Sequence, residues 1–247
     1  MINILIPLAG QSAFFKSEEY IFPQPLIEIR GKPIIQLVTE NLQRISDRKR
    51  FIFVLNDQDC VSFHLDNIVS LLTDGNCDVI RLKSQTRGAA CSCLMAIAFI
   101  DNDEELIISN ADQIIAHSLD DILLSFRRRN CDAGVICFES VHPRWSFVRL
   151  DENQKIIETA EKRVISKNAI AGFYYFKHGR YFVQAAMESI RRDANVKGSY
   201  YIAPIFNELI LENKNLETYP ISEREYHTFY SPEKIEEYKA KVRETSC

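Results

Sequence analysis

The chain opens Met1-Ile2-Asn3-Ile4-Leu5-Ile6-Pro7-Leu8-Ala9-Gly10. After a polar and aromatic stretch it continues Pro23-Gln24-Pro25-Leu26-Ile27-Glu28-Ile29-Arg30-Gly31-Lys32-Pro33. A short apolar run closed by Ala-Gly reads as a buried parallel strand. Its last amides can come close to a phosphate or a base, because glycine has no Cβ to hold either away. Taken alone, a glycine after a strand fits an ordinary turn equally well. The second segment narrows the reading. A Pro-x-Pro-Leu, a short strand and a Gly-Lys-Pro turn lead into an amphipathic helix whose inner face is Ile35, Val38, Leu42 and Ile45.

Outward from there, strand and helix patterns alternate. Strands are expected at 51–55, 77–82, 105–109 and 133–138, with helices at 65–72, 88–100 and from Ser118 to Arg129 between them. Arg127-Arg128-Arg129 places positive charge at the C-terminus of the last of these, where the helix dipole favours it. After residue 141 the rhythm changes. A hairpin over 147–150 and 155–158, with the turn Asp151-Glu152-Asn153-Gln154, precedes an aromatic strand at 168–176. Helices from about 179 and 201, a strand near 216–221 and a helix after Pro232 complete the chain. Repeated alternation predicts an α/β protein: a Rossmann-like three-layer α/β/α fold with a mainly parallel mixed sheet. One domain over 1–247 is expected, with 1–140 as a nucleotide-binding half and 141–247 as an acceptor-binding half of one cleft.

Composition agrees with that reading. The 247 residues are 46% apolar, enough for one large core, and the net charge is a mild −4. No basic patch interleaved with aromatics is present, which argues against a nucleic-acid partner. No leader-like segment or apolar run of membrane-spanning length appears, so a cytoplasmic chain without a membrane partner is expected. Seven cysteines form no Cys-x-x-Cys pair and read as buried reduced thiols, and five histidines lack metal-ligand spacing. Homo-oligomerisation stays open.

Two further segments carry chemistry. Ser84-Gln85-Thr86-Arg87-Gly88-Ala89-Ala90 joins a strand to a helix, where free amides, a positive dipole end and a glutamine can meet a nucleotide. A plain capped helix would look the same. Ser109-Asn110-Ala111-Asp112 ends an apolar strand on an acid, at the place where a hard oxygen ligand would meet the Mg²⁺ of a nucleoside triphosphate. An Asx turn is the plainer alternative. Trp145, within His142-Pro143-Arg144-Trp145, either stacks on a substrate or covers the hairpin.

These motifs, in this order, resemble the sugar-nucleotidyltransferases, the nucleotide-diphosphosugar pyrophosphorylase superfamily, whose fold is GT-A-like. The similarity looks nearest to the short capsule- and lipopolysaccharide-associated nucleotidyltransferases. It runs through Glu161-Lys162, Ala171-Gly172 and His227-Thr228-Phe229-Tyr230-Ser231-Pro232-Glu233. The resemblance implies that Leu8, Ala9 and Gly10, with Gln85, Gly88 and Ala89, hold the nucleotide. It implies that Asp112 holds Mg²⁺, that Lys162 positions the acceptor phosphate, and that Glu161, Gly172 and Trp145 contact the acceptor. The implied activity is transfer of a nucleotidyl group from a CTP- or UTP-type triphosphate to a small phosphorylated acceptor. The chain departs from the family pattern at several points: Ser12 replaces the second glycine, Phe14 lies near the usual arginine, and Gln24 replaces the usual lysine. Ser199-Tyr200-Tyr201 lacks the second acid. Lys16 is the candidate substitute cation. A catalytically silent nucleotide-binding paralogue and a GT-A glycosyltransferase remain as alternatives.

Overall fold

The computed structural model describes residues 1–10, 14–15 and 20–244. In chain order the elements begin with β1 (Ile2–Leu8), β2 (Glu28–Ile29), β3 (Lys32–Pro33), α1 (Ile34–Gln43), β4 (Lys49–Asn56), α2 (Asp57–Phe63), α3 (Leu65–Leu72) and β5 (Cys77–Leu82). Then come α4 (Ala89–Leu94), α5 (Ile97–Ile100), β6 (Glu105–Ser109), β7 (Gln113–Ile115), α6 (Leu119–Arg128), β8 (Ala133–Glu139), β9 (Ser146–Leu150) and β10 (Ile156–Glu161). The chain closes with β11 (Asn168–Phe176), α7 (Gly179–Arg191), α8 (Phe206–Leu211), β12 (Leu216–Pro220), β13 (Tyr226–Thr228) and α9 (Pro232–Glu244).

One large sheet organises these elements. Its parallel half runs β6-β1-β4-β5, and β1 is central, with Ile2 opposite Lys49 on one side and Glu105 on the other. Side chains alternate across the pleat, so successive residues of β1 feed two different cores. Ile4, Ile6 and Leu8 pack with Val38 and Leu42 of α1 and Ile122 and Phe126 of α6. Leu5 faces the other way, toward Cys93, Ile100 and Phe182 from α4, α5 and α7. Helices therefore cover both faces of a mainly parallel sheet, the three-layer arrangement expected from the alternation.

β11 extends the sheet antiparallel to β6 and carries the second half of the chain. Its C-terminal part pairs with β6 and its first two residues pair with β9, while β8, itself parallel to β12, lies along its other edge. Residues 170–172 fall between the β9 and β6 pairings, and the register of β11 with β8 shifts between Ile170 and Tyr174. That gap is where a cavity opens. A two-stranded ribbon of β7 and β13 ties the C-terminal segment to the loop after β6.

Two local expectations change. The helix expected at 88–100 is two short helices, broken at Met95-Ala96 with neither glycine nor proline at the break. A further helix, α2, precedes α3. Asn56 caps it, its side chain accepting from the Gln58 amide at 2.8 Å, and His64 ends it in the left-handed region.

Candidate active site

Two cavities meet at the carboxyl end of β1 and β6. The larger, about 940 Å³, lies between Leu8 and Gly10, the Tyr20–Pro25 segment, and Asn56 and Asp59 at the start of α2. The smaller, about 240 Å³, lies over Gly172 and is walled by Ser146, Glu161, Tyr174 and Trp145. Ala89, Asn110, Asp112 and Tyr201 line both. The amino-terminal and carboxy-terminal halves of the chain thus form one continuous cleft, and Asp112 stands at the junction.

The loop that carries Asp112 is fixed from three directions. The Asn110 amide and the Gln113 Nε2 each donate to the Gly172 carbonyl at 2.9 Å, and the Phe229 amide donates to the Asp112 carbonyl at 2.7 Å. Gly172 has φ +58°, and a Cβ there would lie 2.3 Å from Asn110 Nδ2 and 2.5 Å from Gln113 Oε1. The absence of a side chain at Gly172 therefore serves the protein's own Asp112 loop as well as the cavity it lines. Gln24 Nε2 donates to Asp112 Oδ2 and to the Phe229 carbonyl. Burial pushes the Asp112 carboxyl up, opposed by the Gln24 hydrogen bond and the charge of Arg144.

In the smaller cavity, the Ser146 hydroxyl donates to Glu161, whose carboxyl burial pushes up while Ser146 and the Lys162 charge pull it down. Lys162 lines neither cavity; it is exposed, with φ +52°, and its ammonium donates at 2.9 Å to the hydroxyl of Tyr201, which lines both. Trp145 is held in the protein's own aromatic cluster and also borders the smaller cavity. Its ring packs edge-on against Phe138 and Tyr226.

The remaining sequence-derived candidates separate. Leu8, Gly10 and Ala89 line the cleft. Ala9 is buried in the core beside Leu5 and Ile108. Gly88 makes its close approach to the backbone of Tyr200: with φ +110°, a Cβ would meet the Tyr200 carbonyl oxygen at 2.3 Å. Gln85 is exposed and lines neither cavity. Lys16 lies outside the described residues. Sequence reasoning did not single out Tyr201, whose only signal was its place where an acid was expected. It also missed Arg144, which borders the smaller cavity.

A single carboxylate at the junction suits Mg²⁺, which keeps several waters and commonly takes one or two protein carboxylates plus substrate phosphates. Among the described residues no group of three or more His, Cys, Asp or Glu side chains is placed to hold a metal ion. No helix among the described residues is long and apolar enough to cross a membrane.

The nucleotidyl transferase family model matches residues 20–223, most of the chain, and the chain belongs to that family. Its reaction class is accordingly nucleotidyl transfer. Comparison with curated proteins finds no match. Among solved structures, the nucleoside-diphosphate-sugar pyrophosphorylase from Vibrio cholerae RC9 is similar with a TM-score of 0.82 at 23% identity, covering 96% of this chain and 99% of the other. A putative glucose-1-phosphate thymidylyltransferase from Bacillus anthracis, in complex with a sucrose, gives 0.77 at 18% identity, over 98% and 96%. A UDP-glucose pyrophosphorylase complexed with UDP-glucose gives 0.78 at 17%, over 99% and 100%. At these identities the likeness establishes the shared fold.

Proposed function

We propose that this chain transfers a nucleotidyl group from a CTP- or UTP-type triphosphate to a sugar phosphate or similar small phosphorylated acceptor. The reaction would supply a nucleotide sugar for surface polysaccharide synthesis in the cytoplasm. The observation that carries the reading is the shared lining of the two cavities by Asn110, Asp112 and Tyr201. A triphosphate in the larger cavity and an acceptor in the smaller would present their reacting phosphates to each other there.

In the reaction an acceptor phosphate oxygen attacks the α-phosphorus, the bond from that phosphorus to the β-bridging oxygen breaks, and pyrophosphate leaves with the electron pair. The protein's contribution is alignment and charge compensation. Gly10 lets the β1 end approach the phosphates, and the aromatic rim of Tyr20, Phe22 and Phe63 offers apolar surface to a base. Glu161, held by Ser146, and Tyr174 offer polar atoms to acceptor hydroxyls. Lys162, hydrogen-bonded to Tyr201, brings positive charge beside the cleft lining. Asp112 would hold Mg²⁺, which when bound neutralises triphosphate charge.

Incubation with each nucleoside triphosphate, Mg²⁺ and a panel of sugar phosphates, monitored for pyrophosphate, tests the proposal. Release with at least one pair supports it. Release with none, while nucleotide still raises the melting temperature, would leave a binding protein only.

A further inference from the structure

Among the described residues the cleft lining carries little positive charge. No Lys, Arg or His among the described residues lines the larger cavity, and Arg144 alone among them lines the smaller. Its setting is unusual for a surface arginine. The guanidinium lies over the Tyr230 ring, 4.9 Å from the centre of Trp145 and 6.0 Å from that of Phe14. No carboxylate among the described residues forms a salt bridge with it, and its buried Nε has no hydrogen-bond partner among them.

Aromatic faces hold a guanidinium in place through its charge and its flat surface while leaving the N–H fork in its own plane. That fork matches the oxygens of a phosphate, and a bidentate contact fixes orientation as well as charge. The backbone supports the placement: the Arg144 amide donates to His142 Nδ1 at 3.3 Å, and the Trp145 amide donates to the His142 carbonyl at 3.2 Å, a tight turn entering β9. The other side of Arg144 borders a separate polar cavity of about 380 Å³ toward α9. There Lys234 is already paired with Glu237 at 2.6 Å.

Resting on the nucleotidyl-transfer reading above, we infer that Arg144, set against the Tyr230 and Trp145 rings, is a second cation, beside Lys162, that binds the acceptor's phosphate near Asp112. It would hold the attacking oxygen toward the α-phosphorus, with ring contacts to Tyr230 and Trp145 in place of the carboxylate partners that usually fix an arginine.

The test compares wild type with Arg144→Met, which keeps an unbranched apolar stem, and Arg144→Lys, which keeps the charge. With an active triphosphate and sugar-phosphate pair, Arg144→Met should raise the acceptor KM at least about tenfold, as loss of a charged hydrogen-bonded contact implies. The triphosphate KM should change far less, and Arg144→Lys should recover part of the loss. Should no pair turn over in wild type, calorimetry with the sugar phosphates alone still reads the contact. Weakened binding in Arg144→Met but not in a Met187→Leu control of equal melting temperature supports the assignment. An Arg144→Met protein with wild-type acceptor KM, or with unchanged sugar-phosphate binding, overturns it.

Discussion

Gln24 Nε2 lies 3.4 Å from Asp112 Oδ2 and 3.0 Å from the Phe229 carbonyl oxygen, so one amide joins the loop after the first strand, the junction acid and the segment after β13. It does so as a neutral donor. A neutral amide orients a carboxylate but brings no charge to a neighbouring triphosphate. Charged donors give hydrogen bonds roughly 1 kcal/mol better than neutral ones. Gln24→Lys should therefore tighten triphosphate binding about fivefold, measured by calorimetry, with no required gain in turnover.

Asp112→Asn should remove the Mg²⁺ dependence of triphosphate binding while leaving the fold intact. The loop is held mainly by backbone and by Gln113, none of which the change touches. Calorimetry with and without Mg²⁺ checks this, and an unaltered metal dependence would remove Asp112 from the site.

Gly172→Ala should destabilise the protein by roughly 2–4 kcal/mol, combining a positive φ with intrusion on Asn110 and Gln113. Chemical denaturation measures it. A change below about 0.5 kcal/mol, the range of ordinary surface substitutions, would show that the loop yields freely.

Glu161 gives a pH signature. Its folded carboxyl sits above its ordinary value because of burial. Between the unfolded and folded pKa the native state holds more proton than the unfolded state, so this group's contribution to stability falls as pH rises through that window. Glu161→Gln should thus raise the melting temperature relative to wild type above the window and lose that advantage in acid. Melting curves across pH check the sign, and an advantage confined to acid would reverse it.

Lys162→Ala should cut turnover about tenfold or more while changing stability by less than about 0.5 kcal/mol, since the side chain is exposed and its partner is a tyrosine hydroxyl. Steady-state kinetics beside a melting curve separates the two effects.

The sheet was legible because its strands are buried on both faces and read as continuous apolar runs: Ile2 to Leu8, Phe51 to Leu55 and Leu106 to Ile108 have almost no polar interruption. The β7–β13 ribbon was not, because three-residue strands show no period, yet it is what fixes Asp112 to Phe229. Gly88 and Gly172 were read toward ligands. The backbone of Tyr200 and the side chains of Asn110 and Gln113 take up the space a Cβ would need, contacts between distant segments that no local pattern records. Ala9 looked like part of the glycine turn, but the pleat sends it into the core. Arg144 was hidden for the same reason. Its meaning comes from Tyr230, far along the chain, and from its being the one Lys, Arg or His among the described residues that lines either cavity of the cleft.

The central claim is that the two cavities hold two substrates that exchange a nucleotidyl group at Asp112. Phosphorus NMR of a single reaction mixture measures both products together, using wild type and Asp112→Asn with Mg²⁺, one triphosphate and one sugar phosphate. The account predicts equimolar pyrophosphate and sugar nucleotide from wild type, and a loss of both of roughly a hundredfold or more in the mutant. Pyrophosphate without the sugar nucleotide, or equal yields from the two proteins, would contradict it.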